Sequence, residues 1–134
     1  MFIIDAALAD ELVLEPIKQL ASTRSVRDLR IYEIVKDERV PVLLRELSSP
    51  TFITIDAAGF WHRQICNDAY CIIFFALTDS QQNLIPFLLR KLLRLPEFKT
   101  KAKRMGKVAR VSLANVKYYK CGGDKLHVLN WPKK

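Results

Sequence analysis

The sequence predicts an α/β fold, a three-layer α/β/α sandwich with a mainly parallel central sheet and a C-terminal β-hairpin extension. Runs of β-branched and aromatic residues with the length of strands recur at Phe2–Ile4, Thr51–Ile55 and Tyr70–Leu77. Segments with helical apolar spacing separate these runs. Strands that alternate with helices are typical of a parallel sheet covered on both faces.

The first half of the chain shows this alternation after its opening strand. Ala6–Ala21 has apolar residues at helical spacing, and Pro16 is expected to kink that helix or end its first half. Arg24–Ile31 is interpreted as a short strand or an extended connection. Asp37 and Glu38 then open a second helix, since acidic residues favour a first helical turn.

The second half adds two helices and the hairpin. A short helix or helical turn is expected at Phe60–Ile65, and a longer helix at Asn83–Leu95, where Pro86 is tolerated in the first turn. The residues around Lys99–Lys107 form a basic linker. Three runs with strand character complete the chain, and they predict the antiparallel hairpin: Val108–Ser112, Val116–Tyr119 and Leu126–Leu129.

Length and composition set the outer limits. The chain has 134 residues, which predicts a single domain at 1–134, with an α/β core at 1–95 and a basic extension at 96–134. Apolar residues make up 50%, which excludes a disordered chain. No apolar run is long enough for a membrane span, and no signal peptide is evident. The three cysteines form no paired framework, so a cytoplasmic location and no membrane contact are expected.

The net charge of +8 is unevenly distributed. Residues 1–89 hold 8 Lys and Arg against 12 Asp and Glu, whereas residues 90–134 hold 14 against 2. An acidic body with a basic end indicates a polyanionic partner, with nucleic acid as the first candidate. A surface that only keeps the protein soluble is the alternative.

Acidic residues follow three of the predicted strands. Asp5, Asp56 and Asp79 come after apolar runs, and the carboxyl ends of parallel strands share one edge of a sheet. Asp37 or Glu38 would join them if the second helix begins beside that edge. Carboxylates held close together repel one another unless a hard cation neutralises them, so the set predicts a Mg²⁺ or Mn²⁺ site. Such a metal polarises a phosphodiester and activates water.

Each acid also has an ordinary structural interpretation. Asp79 stands between Thr78 and Ser80, which is typical of a helix N-cap. The acids Asp37 and Glu38 suit the positive end of a helix dipole. Asp5 is likewise compatible with capping alone.

The segments IIDAALADEL, VRDLRIYEIVKDERV, TFITIDAAGFW and YCIIFFAL, in that order, resemble the PIN-like domain family. The resemblance is closest to the small prokaryotic PIN-like ribonucleases of toxin type, and it covers about residues 2–90. In that branch an Asp-x-x-Leu opens the chain, an Arg-Asp-Leu precedes an acidic helix start, and a strand ends in Thr-x-Asp-x-Asp-Phe.

The resemblance implies a Mg²⁺- or Mn²⁺-dependent ribonuclease. Asp5, Asp37 (or Glu38 beside it) and Asp56 would match the family's acids. The family's next Asp has no counterpart, because Ala57, Ala58 and Gly59 separate Asp56 from Phe60. The resemblance also implies RNA as substrate and a cognate antitoxin as partner; a homodimer is a further expectation. Asp79 as the missing carboxylate is a hypothesis outside the family pattern.

Basic residues near the extension are candidates for gripping RNA, with Tyr118, Tyr119 and Trp131 as stacking partners for bases. The alternative is a solvated linker, with one of the adjacent tyrosines buried. The basic candidates are Arg94, Lys99, Lys101, Lys103, Arg104 and Lys107. Two rival functions stay open at this point, a catalytically degenerate relative that binds RNA or protein, and a dimerisation module.

Overall fold

A seven-stranded open sheet runs through the centre of the protein in the computed structural model, which describes residues 1–30 and 35–132. Its strands are β1 (Phe2–Ile4), β2 (Thr23–Ser25), β3 (Thr51–Thr54), β4 (Cys71–Phe75), β5 (Lys107–Val111), β6 (Asn115–Lys120) and β7 (His127–Asn130). The order across the sheet is β2-β1-β3-β4-β5-β6-β7. The first five strands are parallel, and β6 and β7 continue the sheet antiparallel. The predicted α/β class and mostly parallel sheet are therefore confirmed.

Short helices connect the parallel strands. They are α1 (Glu15–Lys18), α2 (Val40–Arg45), α3 (Ala57–Phe60), α4 (Ile85–Leu92) and α5 (Lys101–Arg104). A π-helical turn (Asp10–Leu14) leads into α1, and 3₁₀ turns lie at Val26–Asp28, Asp37–Arg39, Arg63–Ile65 and Asp79–Leu84. Proline stands in the first turn of α1, α2 and α4, where no intrahelical donor is lost.

Apolar side chains pack against both faces of the sheet, which is compatible with three layers. The first face carries Ile4, Ile53 and Ile73 and is covered by α1 and α4. The second face carries Ile3, Phe52 and Ile72 and is covered by α2 and α3. Successive side chains of a strand point to opposite faces, so each central strand supplies both cores. This explains why β3 and β4 are apolar throughout.

Several predicted elements have different bounds. Ala6–Ala21 is not one helix, because residues 5–9 form a loop and helical structure ends at Lys18. The predicted segment Arg24–Ile31 contains most of β2 and a 3₁₀ turn, but its end at Ile31 lies outside the described residues. Phe60–Ile65 divides between α3 and a 3₁₀ turn, and α4 occupies only the middle of Asn83–Leu95.

The expected basic linker contains helix α5 and two interior cations. Arg104 is only 8% exposed; its Nε donates to Thr51 Oγ1 at 3.2 Å and its Nη1 to the Phe98 carbonyl at 3.0 Å. The guanidinium also lies over the Phe2 ring, 5.2 Å from its centroid. Burial lowers the pKa of Arg104, and the hydroxyl and carbonyl partners accept hydrogen bonds from its Nε and Nη1. This residue therefore fastens α5 to the amino ends of β1 and β3.

Candidate functional site

The point where the strand order reverses lies between β1 and β3. The chain leaves β1 for β2 on one side, and then crosses to β3 on the other side of β1. In open doubly wound sheets, ligands bind outside the carboxyl ends of the strands at such a reversal. Asp5 follows β1 directly, and Asp56 follows β3 by two residues. Both predicted acids therefore stand at the edge and position where this architecture binds ligands.

A buried hydroxyl links these two acids. Thr54 is the last residue of β3 and is 0% exposed. Its Oγ1 donates to Asp5 Oδ2 at 2.6 Å and accepts a hydrogen bond from the Asp56 backbone N–H at 3.0 Å. The Asp5 backbone N–H donates to the Ile53 carbonyl, which fixes Asp5 against β3. The orientation of Asp5 is thus set by β3 as well as by its own strand.

Asp37 approaches the same edge from the second face. It opens the 3₁₀ turn that leads into α2, and its carboxyl group shares a hydrogen bond with Asp56. Asp56 Oδ1 also accepts from the Gly59 N–H at 3.1 Å, which caps α3. A Cβ at Gly59 would lie 2.5 Å from Asp37 Oδ2 and 3.0 Å from Asp56 Oδ2. The absence of a side chain at Gly59 is therefore what lets the two carboxyl groups meet.

The acids alter the protonation of Asp37. Partial burial of the carboxyl group, the hydrogen bond with Asp56, and the negative charges of Asp56, Asp5 and Glu38 raise the pKa of Asp37 to about 6. A carboxyl group close to other carboxylates favours its neutral form because a second charge would be repelled. Three of the predicted site residues thus act on the fourth, which is evidence that they share one region.

The donor set suits a hard cation in its chemistry. Carboxylate oxygens are the ligands of Mg²⁺ and Mn²⁺, and Mg²⁺ commonly uses one or two carboxylates with substrate phosphates completing its shell. Asp37 and Asp56 supply such a pair, with Asp5 beyond Thr54. Within residues 1–30 and 35–132, no group of three or more His, Cys, Asp or Glu side chains is arranged as a ready metal site. The fit therefore rests on the Asp37–Asp56 pair.

Asp79 begins a different helical segment from the other acids. It stands in the first turn of a 3₁₀ segment whose N-cap is Thr78, and a capping box joins Thr78 to Gln81. That segment leads into α4, which packs on the first face of the sheet. The side chains of Asp5, Thr54 and Asp56 belong to the second face, and Asp79 is not among the groups that shift the pKa of Asp37. Its position corresponds to the capping interpretation.

The basic candidates separate into two groups. Arg94, Lys99, Lys101 and Lys103 are exposed. Arg104 and Lys107 are interior, which corrects their assignment to an RNA-gripping surface. The Lys107 ammonium donates to the Glu97 carbonyl at 2.6 Å and lies over the Phe98 and Tyr118 rings. An ammonium held this way is not presented to a phosphate.

The aromatic candidates also separate. Tyr118 is buried against Phe98 and stacks on His127, whereas Tyr119 is partly exposed and lies against Trp61. Trp131 donates from Nε1 to the Ser112 carbonyl at 2.8 Å. Of the two adjacent tyrosines, Tyr119 is therefore the one available to a ligand.

Sequence reasoning missed Thr54 and Gly59 as site residues. Thr54 precedes Asp56 by two positions, and strand alternation places such pairs on one face. The two-residue alternation of a strand could therefore have indicated Thr54 from the sequence. Gly59 had no comparable signal, because its contact with Asp37 joins segments that are distant in sequence.

No helix in the described part of the chain is long and apolar enough to cross a membrane. Comparison of the chain with family models, with curated proteins and with solved structures finds no match.

Proposed function

We propose that this protein is a metal-dependent ribonuclease of PIN-like type, as the toxin of a toxin–antitoxin pair. The observation that carries the proposal is the meeting of Asp37 and Asp56 beside Asp5, at the carboxyl edge where the strand order reverses. The resemblance of residues 2–90 to the PIN-like family supports the same reading.

Asp37 and Asp56 would hold Mg²⁺ or Mn²⁺, with Asp5 and Glu38 adding negative charge nearby. A bound cation would supply charge stabilisation at a phosphodiester and a more acidic water. The protein's own residues prepare this site. Thr54 orients Asp5, the Gly59 N–H orients Asp56, and the neighbouring carboxylates disfavour the charged form of Asp37 when no cation is bound.

Cleavage of a labelled single-stranded RNA in Mn²⁺ tests the proposal. Asp56→Asn is expected to lower the rate about 100-fold or more, because it removes one charged ligand from the proposed pair. Asp124→Asn is the matched control, since it makes the same change in the loop between β6 and β7. Equal cleavage by wild type and Asp56→Asn would mean a contaminating nuclease and would overturn the proposal.

A second readout does not depend on activity. Mn²⁺ should raise the Tm of wild type and of Asp124→Asn, because a ligand that binds only the folded state stabilises it. Asp56→Asn should lose most of that rise. A wild-type Tm that does not respond to Mn²⁺ contradicts the assignment of the pair as a metal site.

The second candidate is a catalytically degenerate PIN-like protein that binds RNA or protein. Exposed Ala57 and Ala58 favour it, because they stand where the resembled family carries its next acid. RNA binding that persists in EDTA, with no cleavage in Mg²⁺ or Mn²⁺, would support this candidate over the nuclease.

A further inference from the structure

The second face of the sheet is covered over β1, β3 and β4 and at Val108 of β5, but it is partly exposed along the rest of β5, β6 and β7. On the first face, these last three strands contribute Ala109, Val111, Val116 and Tyr118 to the core. On the second face, Val108 is their one contribution among the described residues. Val128 on β7 is 52% exposed. An antiparallel sheet face therefore lies open beside the acidic site.

One cross-strand row connects this open face to the acids. Thr54 pairs in register with Phe74, Phe74 with Arg110, and Arg110 with Lys117. Residues in register on neighbouring strands share a face, and neighbouring strands are about 4.8 Å apart. Arg110 and Lys117 therefore lie about 10 Å and about 14 Å from Thr54 across the sheet.

The cations of this row are available. Arg110 and Lys117 are both partly exposed, and neither has an ion pair or hydrogen bond to another side chain within residues 1–30 and 35–132. Between residues 107 and 130 the single acid is Asp124, which lies in the loop at the opposite edge. The row thus changes from carboxylates at β1 and β3 to unpaired positive charge at β5 and β6.

An aromatic pair lies on the same face, one row away. Tyr119 is in register with Val108 of the second-face core, and its ring centroid is 5.3 Å from that of Trp61. Both residues are partly exposed. Trp61 follows directly after α3, which begins next to Asp56. The chain segment that carries the acid therefore also carries half of the aromatic pair.

We propose that this open face, defined by Arg110, Lys117, Tyr119 and Trp61, binds single-stranded RNA and leads it to the acidic edge. The two cations contact phosphates, and a base stacks on the Trp61–Tyr119 pair. Positive charge with an adjacent aromatic surface is the chemistry that recognises unpaired nucleotides, because duplex bases are not free to stack on protein. The inference rests on the proposed function and deepens it by naming the face of the sheet that holds the RNA.

The first test measures binding in EDTA, by fluorescence anisotropy of a labelled RNA of about 12 nucleotides. Arg110→Gln with Lys117→Gln should weaken binding about ten-fold or more and reduce the salt slope of log K by about 1.4, for two lost phosphate contacts. Lys99→Gln with Lys101→Gln is the matched control, because it removes the same charge from the exposed basic surface that sequence reasoning favoured. The control should retain most of the affinity.

The second test separates stacking from charge. Tyr119→Leu keeps an apolar side chain against Trp61 but removes one ring, and it should weaken binding of the single strand about ten-fold. A duplex of the same sequence should compete poorly with the single strand. Circular dichroism of each variant checks that the fold is retained.

An Arg110/Lys117 double variant that keeps the wild-type RNA affinity and salt slope would overturn the inference. An equal loss of RNA affinity in the Lys99/Lys101 control would also overturn it. Duplex binding as tight as single-strand binding would also overturn it. If RNA does not bind and Val128→Asp converts a dimer to monomers, the face is an interface between copies and the inference fails.

The outcomes for the face and for the nuclease are distinguishable. A protein that binds RNA through this face in EDTA and cleaves nothing supports the inference and overturns the proposed ribonuclease. The opposite result has three parts: the wild type cleaves RNA, Asp56→Asn does not, and the Arg110/Lys117 double variant binds RNA normally. That result supports the proposed ribonuclease and overturns the inference about this face.

Discussion

Charged side chains lie at both edges of the sheet, but those at one edge have hydrogen-bond partners in the interior, whereas two of those at the other edge are carboxyl groups that lie against each other. At the amino edge, Arg104 and Lys107 are interior, and they donate hydrogen bonds to backbone carbonyls and a hydroxyl. At the carboxyl edge, Asp37 and Asp56 meet with no ion pair to either carboxylate among the described residues, and Asp56 disfavours the charged form of Asp37. Charges that serve the fold are paired inside it, whereas we propose that the charges at the carboxyl edge are neutralised by a bound cation.

The largest effect should come from breaking the amino edge. Arg104→Ala removes the hydrogen bonds to Thr51 and Phe98 and the contact with Phe2, and it is expected to lower the free energy of unfolding by about 3 kcal/mol. Urea denaturation measures the change. Lys101→Ala, on the exposed side of the same helix, should change stability by less than about 0.5 kcal/mol. Similar losses in both variants would contradict the structural role of Arg104.

The next effect should come from filling the space between the two acids. Gly59→Ala places a methyl group against Asp37 Oδ2 and Asp56 Oδ2, so the carboxyl groups must separate. Mn²⁺ affinity, measured by calorimetry, is expected to fall about ten-fold. Gly123→Ala is the control, because its Cβ would lie 3.5 Å from its nearest neighbour, the Lys120 carbonyl oxygen. Unchanged Mn²⁺ affinity in Gly59→Ala would show that the metal does not bind to the Asp37–Asp56 pair.

A smaller effect should appear in the pH dependence of stability in EDTA. The pKa of Asp37 is raised from 3.8 to about 6 in the folded protein, so folding favours its protonated form. Its favourable contribution is complete below the unfolded pKa and is lost as the pH rises through the folded pKa. Asp37→Asn removes that loss, so its Tm advantage over wild type should grow between about pH 4 and pH 7.

Thermal melts across this pH range check the prediction for Asp37. Asp124→Asn is again the matched variant, and its difference from wild type should not grow in the same way. A constant difference between Asp37→Asn and wild type would show that the carboxyl pair is not formed in solution.

The smallest effect is expected at Asp79. Asp79→Asn leaves the Thr78 and Gln81 capping box in place, and Asp79 is not among the groups that shift the pKa of Asp37. It should change Mn²⁺ affinity by less than about two-fold, in contrast to the larger losses that second-sphere partners of a metal show. A loss of Mn²⁺ affinity as large as that of Gly59→Ala would indicate that Asp79 is part of the metal site.

The central strands were predictable because their apolar runs report burial on both faces. Thr51–Ile55 and Tyr70–Leu77 differ from β3 and β4 only at their ends. The segment Ala6–Ala21 was less predictable, since its apolar spacing suits a helix although the chain first makes a loop beside the acids. The hydrophobic period of a segment indicates which side of it is buried, and it does not indicate where a loop interrupts a helical pattern.

The acids of the candidate site could be predicted from the sequence, but the residues that position them were not predicted. Asp5 and Asp56 were indicated by the strands that precede them, and Asp37 by the start of its helix. Arg104 and Lys107 were misread because composition alone does not distinguish a solvated cation from one whose stem crosses the core to reach a carbonyl. The open face over β5 to β7 was equally hidden, because it depends on which helices cover which strands.

The attachment of Arg104 to Thr51 and Phe2 has a consequence for biosynthesis. Residues 2–56 contain every acid of the Asp37–Asp56 site, yet β4 completes its pairing only with β5, and β3 is fastened by a residue that follows it by about fifty positions. A nascent chain that has emerged only as far as α4 has the acids but not the framework that aligns them. The proposed cation site at the acidic edge is therefore expected to form late in translation, after β5 has left the ribosome.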